Sequence, residues 1–325
     1  MMFFLMCSER SGSNFITKLL NGHKNICGPS AKHIINPLAR NLFRYKDLNK
    51  VNNWNELLKD VHRLLNVNFS LWKKEFSLKE LEEIAQLGDV KSLINNIYME
   101  EAKANGKEHV FIKENHVYEF LPFLLLNFPK SKYVYQTRDP RDMALSWKKS
   151  LEHPGGIIQA AKQWQKDQQN TLKNHYELEK RGLSYFVKYE DLIENTNKYI
   201  TKVVEFLGMP KDENIENFYK DALTIENAKM YKGWNNLSKR ILKNNKNKYV
   251  KELNQDEIKA IEKICYLEME YLGYKTEYSI AVLEKFSEEK INDMQKYEME
   301  NIPYSKSKRV RINSEAKKIF YKKCI

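Results

Sequence analysis

The chain opens on six apolar residues, Met2 to Cys7, then turns polar through Ser8-Glu9-Arg10-Ser11-Gly12-Ser13-Asn14 before Phe15, Ile16, Leu19 and Leu20 recur at helical spacing. A short apolar run, a polar loop with a glycine and then a period of 3.6 predict strand, tight loop, helix. The same order returns three times. Val110–Lys113 precedes a helix over about 119–127. Lys132–Thr137 leads through Arg138-Asp139-Pro140-Arg141-Asp142 into a helix carrying Met143, Leu145, Ser146 and Trp147. Ser184–Lys188 leads through Tyr189-Glu190-Asp191 into a helix that ends at Phe206-Leu207-Gly208. Strands separated by helices require parallel crossovers, so the predicted fold class is α/β: a three-layer α/β/α sandwich with a central parallel sheet and its site at the carboxyl ends of the strands.

Between the first two of these strands, residues 35–108 read as helical, with Leu57, Leu58, Val61, Leu64 and Leu65 on one stripe and Leu78, Leu81, Ile84 and Leu87 on another. That is longer than a plain crossover, and it predicts a helical insertion over the sheet. Long helices are expected over 157–179 and over 255–272, the latter capped by Gly273, with Tyr266, Met269 and Tyr271 as core positions. Residues 1–280 are expected to form one domain, and 281–325 a helix followed by a basic tail.

Composition narrows the function. With 42% hydrophobic and 30% charged residues the chain is globular, and no apolar run approaches the roughly 20 residues that span a bilayer. The apolar start lacks the basic region and length of a secretory signal, so a soluble, cytoplasmic protein is expected. Cysteines 7, 27, 265 and 324 are too scattered for a zinc site or a disulfide framework. A net charge of +12 points to an anionic partner, but the eight basic residues and one acid of 301–325 supply +7 of it. The remaining body is only mildly basic, which argues against a specific nucleic-acid face. The tail suits weak contact with a membrane or polyanion, or plain solvation.

The loop Ser8–Phe15 sets hydroxyls, a glycine and Arg10 where a strand hands over to a helix N-terminus, an arrangement whose free N–H groups favour anions. The ATP loop G-x-x-x-x-G-K-[ST] is absent. Taken alone, a serine-rich cap that binds nothing accounts for the loop as well. Arg138 ends a strand and Ser146 follows eight residues later, two turns into a helix, and a guanidinium with a hydroxyl suits a phosphate monoester. Taken alone, Arg138–Asp142 also reads as a surface ion-pair turn.

In combination, Arg10-Ser11-Gly12-Ser13-Asn14-Phe15, the Arg138/Ser146 pair, Tyr189-Glu190-Asp191-Leu192 and Phe206-Leu207-Gly208 resemble the sulfotransferase family, which uses 3′-phosphoadenosine 5′-phosphosulfate (PAPS). The resemblance runs from Phe3 to about Tyr274. It implies that Arg10 to Asn14 form the 5′-phosphosulfate loop, that Phe15 and Tyr189 lie beside the adenine, and that Arg138 and Ser146 grip the 3′-phosphate. Lys113 is placed like the family's strand-end lysine, on the leaving-group or acceptor side. The stretch Trp234–Tyr249 is similar to one that bacterial members fold over the nucleotide. Two departures stand out: Glu9 occupies a place where proline is common, and a glycine-rich R-K-G segment is missing, which points to the bacterial or carbohydrate-type branch. The implied reaction is metal-independent in-line transfer to a hydroxyl, less readily an amine, of a glycan, glycolipid or small-molecule acceptor. Three residues compete as general base: His33, Glu114 and His116, with His33 first because other members place a catalytic acid or histidine soon after the first helix. The rivals are a P-loop-type kinase or NTPase, and a non-enzymatic polyanion-binding protein acting through the tail.

Overall fold

The opening apolar run becomes the middle strand of a sheet, which is why both of its faces are apolar: every residue of Met2–Cys7 is buried. The computed structural model describes residues 1–67, 69–150 and 152–301, so the basic tail and Cys324 lie outside the described residues. Five parallel strands, β1 (Met2–Cys7), β2 (Ile26–Cys27), β3 (His109–Lys113), β4 (Lys132–Thr137) and β5 (Ser184–Lys188), pair in the order β2-β3-β1-β4-β5. Two-residue β2 is absent from the sequence prediction because it is too short to show a pattern. The chain winds from β1 out to β2, returns through β3, then crosses β1 to build β4 and β5 on the other side. The loops leaving β1 and β4 therefore part in opposite directions, and a crevice opens between them at the carboxyl ends of the strands.

Alternation along the strands divides the core into two layers. Phe3, Leu5 and Cys7 pack with Ile16, Leu19 and Leu20 of α1 (Ser13–Asn21) on one face, whereas Met2, Phe4 and Met6 join the larger cluster on the other. Between β2 and β3 lie α2 (Ile35–Asn41), α3 (Val51–Asn66), α4 (Leu78–Glu83) and α5 (Val90–Ala104). Leu57, Leu58, Val61, Leu64 and Leu65 of α3 are buried at their predicted spacing. The second stripe is cut short: α4 ends at Glu83, and Leu87 beyond it is 43% exposed.

A short 3-10 turn, Val117–Glu119, precedes α6 (Leu121–Asn127); α7 (Pro140–Lys148) and α8 (Gly156–Glu179) follow β4. The helix predicted after β5 is two, α9 (Tyr189–Glu194) and α10 (Thr196–Leu207), because Asn195 interrupts the first and caps the second by accepting the Lys198 N–H at 3.3 Å. The remainder comprises α11 (Ala222–Met230), α12 (Tyr249–Glu252), α13 (Gln255–Tyr271), α14 (Ile280–Lys285) and α15 (Glu288–Asn301). Met269 is buried on α13 as expected, but Tyr271, in its last turn, is 73% exposed and is not a core residue. The last helices return to α8: Phe286 and Ile291 pack with Ile158, and the Glu298 carboxylate accepts the N–H groups of Ile157 and Ile158 at 2.9 and 3.0 Å.

Candidate active site

The two diverging loops are walls of one cleft, about 560 Å³ in volume. The loop after β1 contributes Arg10, Gly12, Ser13, Asn14 and Phe15; the α7 side contributes Arg138 and Ser146; the start of α9 contributes Tyr189. Ser11 does not line the cleft. It is fully buried, its hydroxyl donates to the Ser8 carbonyl at 2.7 Å, and its own carbonyl accepts the Gln136 amide at 2.6 Å, which ties the loop to β4. Gly12 closes the loop at φ 85°, in the left-handed region, where a Cβ would lie 2.3 Å from the Tyr189 ring. The N–H groups of Ser13 and Asn14 then open α1 with no helical carbonyl to accept them, and the positive end of the helix dipole adds to an anion cradle.

An aromatic wall adjoins this cradle. Phe15 meets Tyr189 edge-on, with ring centroids 6.1 Å apart, and Phe218 stands 5.7 Å behind Phe15. The Arg138 guanidinium lies over the Tyr189 ring at 4.6 Å, and the Tyr189 hydroxyl accepts from the Asn245 amide at 2.7 Å. Burial pushes the Tyr189 phenol up, against the pull of Arg138, so the ring stays neutral. Arg138 itself is 7% exposed and donates to the carbonyls of Arg10 (3.3 Å) and Asn245 (3.1 Å). Its Nε has no partner among the described residues. Beside it, the Arg10 Nε donates to Ser146 Oγ at 3.1 Å. The opposite wall is the segment 232–248, which holds six basic residues and no acid. Lys232, Lys239, Arg240 and Lys248 reach the cleft. Asp142 of α7 pins the end of this wall by accepting the N–H groups of Lys248 and Tyr249 at 2.8 and 3.1 Å.

The four candidate catalytic residues do not line the cleft; they belong to a second cluster at the ends of β3 and β1. Lys113, 8% exposed, donates to Asn115 Oδ1 at 2.6 Å; the Asn115 amide donates to Glu9, and the other oxygen of Glu9 lies 2.7 Å from His153 Nε2. Glu9 therefore turns out of the anion cradle. Burial raises its pKa, but the hydrogen bond and charge of His153, with Lys113 and His116, outweigh it and hold the carboxyl well below the usual range.

His33, in the loop before α2, adopts φ 54° and places Nδ1 3.1 Å from Glu114 Oε2. Glu114 is fully buried and also accepts the Ile35 N–H at 3.0 Å and the Tyr98 hydroxyl at 3.4 Å. With Nδ1–H donating to this carboxylate, His33 presents the lone pair of Nε2. Burial, opposed by Glu114, lowers the His33 pKa below its ordinary 6.5, which leaves the ring neutral at physiological pH. Phe69 stands edge-on to His33 at 5.0 Å and connects it to Trp234 of the basic wall at 6.5 Å. His116 also has a left-handed backbone, φ 52°, and its buried Nε2 has no partner among the described residues.

Residues 3–213, about two-thirds of the chain, match the model of the sulfotransferase family. The chain belongs to that family. No curated protein matches this sulfotransferase at a significant level. Among solved structures, the sulfotransferase domain of the Synechococcus olefin synthase aligns with a TM-score of 0.55 at 19% identity, covering 82% of this chain and 95% of that one. A sulfotransferase domain from the curacin biosynthetic pathway gives 0.49 at 18% identity over 91% and 96% of the two chains. A mouse sulfotransferase complexed with PAP gives 0.47 at 12% identity over 91% and 87%. At such identities the likeness is one of fold, and it is the first of these that establishes it for this sulfotransferase.

The matched stretch of the sulfotransferase ends before the basic wall 232–248. That wall had a readable signal, six bases without an acid, although Asn245, whose carbonyl accepts from Arg138, carried none. Asn115 and His153 were equally silent, since Glu9 meets them across 106 and 144 residues of chain. Among the described residues no group of three or more His, Cys, Asp or Glu is arranged to hold a metal, and no helix is long and apolar enough to cross a membrane.

Proposed function

We propose that this sulfotransferase moves a sulfuryl group from PAPS to an acceptor hydroxyl and releases 3′-phosphoadenosine 5′-phosphate (PAP). The observation that carries the reading is the cleft at the sheet's switch point, where an N–H cradle and a guanidinium–hydroxyl corner flank an aromatic wall. The residues present fit a bisphosphorylated adenosine: Phe15 and Tyr189 for the base, Arg138 and Ser146 for the 3′-phosphate, and the start of α1 for the 5′ end. The orphaned Nε of a 7% exposed Arg138 is a donor in want of such an acceptor. When bound, PAPS supplies the activated sulfuryl group.

The side chains at the β3 end supply the rest. Lys113 offers an ammonium where negative charge grows on the departing oxygen, held in place by Asn115. His33 Nε2 takes the acceptor's proton, and Glu114 fixes the tautomer that leaves Nε2 free to do so. A hydroxyl suits this arrangement better than an amine, because an amine arrives protonated at neutral pH and is repelled by Lys113. Lys113, Arg138 and the helix N–H groups supply the positive charge the transfer needs, so the reading calls for no metal. A glycan, glycolipid or small-molecule alcohol is the acceptor; the glycan choice rests on resemblance to the carbohydrate-type branch.

Thermal-shift titration tests the donor. PAP should raise the melting temperature far more than AMP at equal concentration, and ATP with magnesium should do no better than AMP. Equal stabilisation by PAP and AMP would remove the 3′-phosphate reading, and a dominant response to ATP with magnesium would favour the kinase alternative.

A further inference from the structure

We propose that His153 is a positioning residue for the transfer: by engaging one oxygen of Glu9 it keeps that carboxylate on Asn115, so that Lys113 meets a neutral amide and not an anion. The proposal rests on the functional reading above and extends it to a side chain from the loop between α7 and α8.

A carboxylate at position 9 precedes the N–H groups that open α1, and Lys113 and His116 both attract it. Each of its oxygens has a partner. The Asn115 amide donates to Oε1, and Oε2 lies 2.7 Å from His153 Nε2. Asn115 in turn accepts from Lys113 Nζ at 2.6 Å, and Asn36 fixes its backbone by donating to the Asn115 carbonyl at 3.0 Å. The two side-chain contacts of Asn115 are therefore one choice: with Oδ1 toward an ammonium, its NH₂ must face an acceptor, and Glu9 is that acceptor.

His153 is itself held. Its ring lies 4.4 Å from the Trp147 ring, its Nδ1 is 2.8 Å from Ser150 Oγ, and Trp147 Nε1 donates to the Pro154 carbonyl at 3.0 Å. A serine hydroxyl both donates and accepts, so Nε2 presents its proton to Glu9 whether the ring is neutral or charged. The same loop lines the cleft through Lys149, Ser150 and Glu152, which ties the outer cleft to the β3 cluster. Removing the imidazole leaves Oε2 of a partly buried carboxylate without its partner, and the Lys113 ammonium is the strongest donor that attracts it. An ammonium drawn onto a carboxylate offers less to the charge that grows on the departing oxygen.

Two measurements on the full chain test this. The first is the rate of PAP formation from PAPS, with phenol as the probe acceptor and with water alone. His153→Ala should lower it about 10- to 50-fold, more than Glu9→Gln does, with PAP affinity by calorimetry within about twofold of wild type. His153→Gln, which restores an N–H donor to Glu9, should recover most of the rate. Where the alanine variant is too unstable to assay, His153→Phe keeps the ring packed on Trp147 and carries the same comparison. The double variant Glu9→Gln/His153→Ala should be no slower than Glu9→Gln alone, because a neutral amide does not compete for Lys113. A double-variant loss equal to the product of the two single losses would make His153 a brace of its own loop and overturn the proposal. The second measurement, a crystal structure of His153→Ala, needs no acceptor. Glu9 should move within hydrogen-bond distance of Lys113 Nζ; a carboxylate still on Asn115, with Lys113 unmoved, would overturn the proposal by itself. Failure of the underlying functional reading looks different: the wild-type protein would then hold PAP and AMP equally, before any variant is made.

Discussion

The cleft beside Arg138 and the cluster around His33 and Lys113 handle charge differently. In the cleft, Arg138 donates to the carbonyls of Arg10 and Asn245 and has the Asp142 carboxylate 3.7 Å away, and Arg10 donates to the Ser146 hydroxyl, so several of the donors facing the cleft meet neutral groups that a phosphate can replace. In the cluster, charge is matched internally. Glu114 accepts from His33, Ile35 and Tyr98, and Glu9 bridges Asn115 and His153. A buried carboxylate is tolerated only with such partners, and removing one leaves the other unsatisfied. The difference separates binding from rate: substitutions in the cleft should act on nucleotide affinity, and substitutions in the cluster on turnover.

The sharpest division should come from His33→Ala. Loss of a positioned base typically costs about 10²- to 10⁴-fold in rate, so kcat should fall on that scale while PAP affinity, measured by calorimetry, is unchanged. Normal turnover would pass the role to Glu114 or His116, the other candidates at the β3 end. Next in size, Arg138→Ala should weaken PAP roughly 100-fold and AMP little, because a fork of charge-assisted bonds to the 3′-phosphate is lost; a parallel loss of AMP would erase the contrast between the two regions. Glu9→Gln keeps the shape but removes the charge that orients Asn115 and, through it, Lys113. It should lower kcat about threefold to tenfold with PAP affinity near normal, and an effect confined to affinity would place Glu9 with the cleft instead. The smallest effect concerns pH. Burial depresses the His33 pKa, and with the unprotonated ring as the proposed base, activity should be retained as pH falls until that depressed value is reached. The acid limb of kcat/KM should lie below pH 6.5 and vanish in His33→Ala, whereas a limb above 6.5 that survives the substitution would assign the titration to another group.

The same contrast governs what the sequence made legible. β1 is readable because a central strand covered on both faces is apolar throughout, and the two cleft loops are readable because each is a short contiguous motif next to a strand. What failed to show was either too short or too distant. β2 has two residues and no period. Apolar spacing ran past the end of α4 at Leu87 and out to the last residue of α13 at Tyr271, both exposed, since periodicity marks a stripe and not where the core beneath it ends. Ser11 reads as a ligand in the motif, yet its hydroxyl braces the loop. Within the β3 cluster, His33 meets Glu114 across 81 residues, so its residue types were visible but their pairing was not.

The most direct measurement is a crystal structure with PAP bound. The account predicts the 3′-phosphate within hydrogen-bond distance of Arg138 and Ser146, the adenine beside Phe15 and Tyr189, and the 5′-phosphate at the N–H groups that open α1. A nucleotide bound elsewhere, with Arg138 still donating to Asn245 and the start of α1 bare, would contradict it.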